Sequence, residues 1–278
     1  TVEAGIRREG SDIASTGDVA LEKSLPFTTP RIALTWAPND RTQLRLRFER
    51  IVGQLNFRDF VASSSASTGL LTAGNPDLEP EQAWVSEAAV ERRFLGSGAV
   101  VLTIRHSALT DVVDRAPIFG PSGVFDAPGN IGDGTKDELI ANLTLPLDRF
   151  GVKGAQVKAA STWRRSAVTD PTTGEERKIS NLKPQEWELQ FTHDLPAWRL
   201  NWGITAYSQF RETSYRFDQI EHFKLKTFVI PFVEYRIRPD LVVRAEIQNV
   251  TERGLRRTQY VYGGPRNTSA LAYVEDRD

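Results

Sequence analysis

The side chains best suited to chemistry are three histidines, one Asp- and Asn-rich stretch, and several runs mixing arginine with aromatic residues. His106, His193 and His222 stand far apart and lack the paired spacing of a zinc site. His106 with Ser107, or Glu221 with His222, would suit a hydrolase, but no nucleophile elbow accompanies either pair. No catalytic residue is therefore assigned. Asp126, Asn130, Asp133 and Asp137 offer oxygen ligands in a glycine-rich stretch, yet the ordered spacing of a calcium loop is missing and a solvated turn explains them. The chain has no cysteine, which removes disulfides, thiolate metal sites and cysteine nucleophiles. We expect neither a cofactor nor a metal.

The arginine- and aromatic-rich runs are the better binding candidates. They are Phe57, Arg58 and Phe60; Arg211, Tyr215, Arg216 and Phe217; and Arg256, Arg257, Tyr260 and Tyr262. Guanidinium groups beside aromatic rings suit an anionic or aromatic ligand such as a chelated metal. Contact with lipopolysaccharide, or plain loop packing, would use the same residues. A further shape, Gly74-Asn75-Pro76 followed by Leu78, Pro80 and Glu81, is explained by turn chemistry: Asn-Pro opens a turn and Pro80 fixes an extended run into Glu81. The charges nearly cancel, with 35 basic and 36 acidic residues, so nothing draws the chain to nucleic acid.

The elements that must position these residues are strands. In 42–50, Leu44, Leu46 and Phe48 share one face while Arg45, Arg47 and Glu49 share the other. Val100, Leu102 and Ile104 oppose Val101, Thr103 and Arg105 in the same way, as do Leu139, Ala141, Leu143 and Leu145 against Ile140, Asn142 and Thr144. Near the end, Leu241, Val243, Ala245 and Ile247 oppose Arg244, Glu246 and Gln248. Few windows carry helical spacing, so the class is all-β.

Tight turn signals fall around Pro38, Gly96, Gly151, Pro196 and Pro239, and long polar connections lie between them: 10–28, 53–80, 109–135, 167–180, 211–221 and 253–268. Short and long alternate without a break. In an antiparallel meander this places every short turn at one end and every long loop at the other, as in an outer-membrane barrel. About twelve strands result, several of them roughly ten residues long, which suits a bilayer better than a soluble sandwich. No stretch approaches the roughly 18 apolar residues of a spanning helix, but a barrel needs none. Trp36, Trp84, Phe94, Phe150, Trp187, Trp198 and Tyr235 are placed to form interfacial girdles, or else ordinary core aromatics.

The segment 44–65 followed by 72–87 resembles the barrel of the TonB-dependent receptors, whose GNPxLxPE-like stretch opens a strand and is matched here by Gly74, Asn75, Pro76, Leu78, Pro80 and Glu81. Asn130 with the GDGT run and Glu138, and the segment 246–266, are similar to further parts of that family in order and spacing. The resemblance spans nearly the whole chain, 1–278, and implies an antiparallel up-and-down transmembrane β-barrel, of which these strands would be the C-terminal half of about 22. It also implies a receptor in the outer membrane of a Gram-negative bacterium. Its ligand would be scarce: a siderophore, haem, cobalamin, a carbohydrate or a similar compound. Partners implied are outer-membrane lipid, lipopolysaccharide and the TonB complex.

The chain departs from the family pattern at both ends. No Met or leader precedes Thr1, no plug domain or TonB box is present, and the sequence stops at Asp278 before a final strand would end. We therefore expect a piece of a longer protein. Two other readings stay open: an autonomous 12-stranded porin or autotransporter-type pore, and, with less support, an outer-membrane hydrolase.

Overall fold

A computed structural model describes residues 1–15, 21–56, 59–60, 63–65, 70–72, 74–120 and 123–278. The long strands are those whose sequence alternates. In chain order they are β1 (Val2–Ser15), β2 (Leu21–Asn39) and β3 (Thr42–Val52), then the short β4 (Ser63–Ser65) and β5 (Leu70–Thr72). There follow β6 (Gln82–Phe94), β7 (Gly98–Thr110), β8 (Val113–Gly120), β9 (Gly123–Asn130), β10 (Gly134–Pro146), β11 (Ala155–Thr169) and the two-residue β12 (Glu176–Arg177). The last are β13 (Gln185–Leu195), β14 (Leu200–Tyr207), β15 (Phe210–Tyr215), β16 (Gln219–Leu225), β17 (Phe228–Arg238), β18 (Leu241–Glu246), β19 (Leu255–Tyr262) and β20 (Leu271–Arg277).

Eleven of these form one antiparallel path, β1-β2-β3-β6-β7-β10-β11-β13-β14-β17-β18, with β12 pairing β11 to complete a 12-stranded sheet. A 4-stranded sheet, β15-β16-β19-β20, continues the wall at the loop end, and β4-β5-β9-β8 form a second small sheet in the loops. The continuation is direct. Tyr207 faces Phe228 in the β14–β17 ladder, and Phe210 faces Leu225 in the β15–β16 ladder, so the register carries through a two-residue interruption. The sheet is open, since β1 and β18 at its two ends do not pair with each other.

Every short turn lies at one end. Asp40 and Arg41, the Leu95–Ser97 turn, the 3-10 turns Asp148–Phe150 and Pro196–Trp198, and Pro239 with Asp240 make the reversals. Gly154 has φ 76°, and a Cβ there would meet the Asp194 carbonyl oxygen, so this turn requires glycine.

The wall is one layer thick, and its faces are inverted relative to a soluble sheet. Ile104 is 61% exposed, Trp36 58% and Leu102 45%, whereas Glu138 is 8% exposed and Ser107 2%. Burial of apolar side chains cannot hold such a wall in water. The largest apolar cluster is a small one under the loops, where Leu109, Val112 and Val168 pack with Ala83, Ile131 and Ile179.

Three expected loops are shorter than the polar residues suggested. The connection expected over 10–28 is mostly ladder, with Gly10 opposite Pro26 and Ser15 opposite Leu21. Strand also fills most of 211–221 and half of 253–268, leaving reversals at 216–218 and 263–270. Outside a bilayer both faces of a strand can be polar, so composition there no longer distinguishes strand from loop. The expected loops 53–80 and 109–135 carry β4, β5, β8 and β9.

Candidate functional site

The loop end is held together by buried charge. Asp170, 2% exposed, accepts hydrogen bonds from Arg177 Nε (2.7 Å) and Arg266 Nη2 (2.6 Å), and from the Thr172 and Thr173 backbone N–H groups. Arg177 also donates to Asp114 Oδ2 at 2.9 Å and stacks over the Tyr215 ring at 4.5 Å. Four connections thereby meet at one point: 111–133, 170–184, 208–218 and 263–270. Burial works to raise the Asp170 pKa, but the Arg266 hydrogen bond and the Thr172 and Thr173 N–H groups hold it below the usual carboxylate range.

A second buried carboxylate behaves differently. Asp126 accepts from the Phe217 N–H at 3.1 Å, and its one ion pair among the described residues is with Arg216, at 3.8 Å. Burial pushes its pKa up to about 6. Beside it, burial and the Arg216 charge lower the pKa of Arg115, whose buried Nη1 has no hydrogen-bond partner.

Between this hub and β15–β16 opens a polar cavity of about 710 Å3, lined by Arg211, Thr213, Tyr215, His222, Lys178 and Glu176 among others. Among the described residues, Arg211 and Lys178 form no ion pair. His222 is hydrogen-bonded to Thr213 Oγ1 at 2.9 Å and meets the Tyr260 ring edge-on. Its pKa is lowered by burial and by the Arg211 charge. Two cations outside any ion pair beside a tyrosine, in a cavity whose lining also carries Glu175 and Glu176, give it the means to hold a ligand bearing an anionic and a flat group.

The polar face of the wall carries a charge belt below the loops. Arg47 Nη2 donates to Glu87 Oε2 at 2.8 Å, and Arg105 Nε to the same carboxylate at 2.8 Å. Arg105 Nη1 reaches Glu138 at 3.0 Å, Arg164 Nε reaches Glu138 at 2.9 Å, and Arg164 Nη2 reaches Glu186 at 2.7 Å. Signs alternate from β3 through β6, β7, β10 and β11 to β13, because register sets Arg47 opposite Glu87, Glu87 opposite Arg105, and Glu138 opposite both Arg105 and Arg164. Each carboxylate within the belt is satisfied from both sides.

The binding candidates read from sequence are scattered by the fold. Arg211 and Tyr215 line the cavity, with Tyr215 spent partly on Arg177. Phe60 is buried and Arg216 lies against Asp126. Arg256 pairs with Asp276 at 3.1 Å, Arg257 with Glu221 at 2.6 Å, and Tyr260 packs on His222. Arg58 lies outside the described residues.

The turn shape acts as a clip. The Asn75 side chain caps Asp77 N–H at 3.0 Å and donates to the Pro128 carbonyl at 3.0 Å, while Asn130 exchanges hydrogen bonds with Glu79 N–H and carbonyl, both 2.8 Å. Leu78 is fully buried, Glu81 Oε2 accepts from Val113 N–H at 3.4 Å, and Gly74, Pro76 and Pro80 shape the backbone between. The residues considered for calcium are not brought together: Asp126 faces Arg216, Asn130 holds Glu79, and Asp137 pairs with His106. The histidines are equally dispersed, His193 packing beside the rings of Phe191 and Trp202.

A one-layer antiparallel wall with its oily face outward, its charges inward and its long loops at one rim can be compared with known proteins. The model of the TonB dependent receptor-like β-barrel family matches residues 1–250. The chain belongs to this family. Among solved structures it is similar to the ferric enterobactin receptor PfeA of Pseudomonas aeruginosa, with TM-score 0.60 and 16% identity over 81% of this chain and 35% of that one. The siderophore receptor PirA of Acinetobacter baumannii aligns with TM-score 0.57 and 15% identity over 81% of this chain and 37% of that one. The hemophore receptor HasR of Serratia marcescens aligns with TM-score 0.54 and 11% identity over 93% of this chain and 46% of that one. No curated protein matches the sequence. The chain thus spans less than half the length of these receptors.

Within the TonB-dependent receptor frame, the hub residues Asp114, Asp170, Arg177 and Arg266 and the cavity residues Lys178 and Thr213 escape a reading of the sequence alone. Asp170 and Arg266 are 96 positions apart, and nothing local marks either as buried. The belt leaves more trace: its charges all sit on polar faces of alternating strands, although only register reveals that they touch.

Proposed function

We propose that this chain is part of the wall of a TonB-dependent receptor in the outer membrane of a Gram-negative bacterium, and that the receptor imports a scarce anionic or aromatic chelate such as a ferric siderophore or haem. The observation that carries this is the inverted wall: leucines, isoleucines and tryptophans on the open face, an alternating charge belt on the other. Such a face is stable only against lipid, and such a belt only against a hydrated interior. The ligand class rests on the cavity, where Arg211 and Lys178, engaged in no ion pair among the described residues, lie in the same lining as Tyr215. The ligands bound in the neighbours' structures, enterobactin in PfeA and heme with the hemophore HasA in HasR, fit the same chemistry. Cobalamin or a carbohydrate would be the less fitting cargo. Plug and TonB-coupling segments would come from parts of the protein outside this chain.

The test uses the complete receptor in its own membrane. Deleting its gene should abolish growth-limited uptake of one ferric chelate or haem, and Arg211→Ala with Lys178→Ala should weaken binding of that ligand by about tenfold or more. Uptake of every candidate unchanged after deletion, or recovery of the protein outside the outer-membrane fraction, would refute the reading.

A further inference from the structure

The sheet β15-β16-β19 sets two cations against each other. Register places Arg211 of β15 directly opposite Lys224 of β16, and neither forms an ion pair among the described residues. Like charges opposite each other on strands about 4.7–4.9 Å apart are destabilising. Arg256 of β19 stands opposite Lys224 in turn, but it is tied to Asp276 at 3.1 Å. Arg211 and Lys224 thus remain unpaired side by side, where Arg211 enters the cavity, and they complement a ligand with two anionic groups on one edge. This face is the inner one. Tyr215, two strand steps along from Arg211, lies under Arg177, and Arg177 stands opposite Val168, which shares a face of β11 with the belt residue Arg164.

One step along, on the same face and about 6.5–7 Å away, Thr213 stands opposite His222. Thr213 Oγ1 and His222 Nδ1 are 2.9 Å apart, while His222 Nε2 has no hydrogen bond among the described residues. A hydroxyl rotates to accept as readily as to donate. It can therefore take the Nδ1–H and leave the Nε2 lone pair open, the arrangement in which a histidine ligates a metal. The Tyr260 ring meets the imidazole edge-on at 5.5 Å and restricts it. A further step along, Tyr215 stands opposite Ile220 and Ile220 opposite Tyr260. Three rows thus cover about 13–14 Å, with cations in the first, the histidine in the middle and a flat, weakly polar surface in the last.

We infer that this face binds haem, lying over the sheet with its iron on His222 Nε2, its two propionates on Arg211 and Lys224, and its far edge over Ile220 and Tyr260. The inference rests on the receptor reading above and narrows its cargo to an iron porphyrin. A ferric siderophore encloses its iron in its own oxygen ligands and has no use for an open imidazole, whereas a porphyrin leaves the axial positions of its iron free. Thr213 is a positioning residue that acts through the tautomer of His222. Glu175 and Glu176 belong to the same cavity lining but lie on the 170–184 connection, outside the three rows.

Complete receptor in neutral detergent would be titrated with haemin, with haemin dimethyl ester and with iron-free protoporphyrin, following the Soret band. Haemin should bind with the band shifted as imidazole-bound iron requires. His222→Ala should abolish that shift, weaken haemin about tenfold or more to the level of the iron-free porphyrin, and regain the shift when free imidazole is added. Thr213→Val should weaken haemin less than His222→Ala does. Arg211→Gln with Lys224→Gln should keep the shift but remove the preference for haemin over its ester. A shift that survives His222→Ala, or is lost instead on His106→Ala or His193→Ala, overturns the site, as does equal wild-type affinity for haemin and its ester. Binding of a ferric siderophore with none of haemin overturns the inference and leaves the proposed function standing, whereas a receptor found outside the outer membrane defeats both.

Discussion

The wall and the loop layer solve the same problem, holding charge away from bulk water, in opposite ways. In the wall, Arg47, Glu87, Arg105, Glu138 and Arg164 share partners along a row in which the arginines and Glu87 keep 17–30% of their side chains exposed, Glu138 among them is buried at 6%, and each neighbour is supplied by strand register. In the loops, Asp170 gathers Arg177 and Arg266 at a point where side-chain exposures are 2%, 6% and 8%. A belt member that is lost leaves water-accessible neighbours, whereas a hub member that is lost leaves unpaired charge in a dry place. The difference teaches where the molecule is brittle. Backbone ladders carry the wall regardless of any one side chain, while the loops depend on a few groups far apart in sequence.

The largest expected effect breaks the hub. Asp170→Asn strands Arg266 and leaves Arg177 with Asp114 alone, and we expect the loop layer to lose about 3–5 kcal/mol of local stability. Hydrogen exchange should quicken over 171–183 and 263–270 while β10 and β11 keep their protection. Equal loss in both regions would erase the contrast. Next, the two faces of the wall should respond oppositely to the same residue. Leu102→Arg on the apolar face should cost about 2–4 kcal/mol in urea titrations from lipid vesicles, whereas Asn142→Arg on the polar face should stay within about 0.5 kcal/mol of wild type.

The smallest effect concerns pH. Asp126 is held above its ordinary value of 3.8, at about 6. The folded loops therefore bind a proton that the opened loops release, and local stability should fall as pH rises from 3.8 to about 6, then level off. Exchange at Phe217 and its neighbours should follow that slope, and Asp126→Asn should flatten it. A rise in protection across the window would show that Arg216 outweighs burial.

The wall was legible because its physics repeats every two residues. Leu44, Leu46 and Phe48 announce an outward face without any partner, and the alternation of short and long connections sets the two ends. The loop end was not. The stretch 10–28 reads as polar linker, yet 10–15 pair residue by residue with 21–26, because a strand with both faces in water needs no apolar side. Among binding candidates, Arg211 and Tyr215 reached the cavity, whereas Arg256 and Arg257 were captured by Asp276 and Glu221, acidic residues whose proximity depends on strands meeting across the chain. Asn75 and Asn130 were each noticeable as turn residues. Their meeting across the clip was not, since it depends on the hairpin β8–β9 folding back.

The two-residue interruption between β14 and β15, with register kept, has a mechanical consequence. Because Tyr207–Phe228 and Phe210–Leu225 keep one register across the gap, the β15–β16 hairpin stands in line with the β14–β17 pair below it. A load on the hairpin would therefore run along the axis of the strands beneath it.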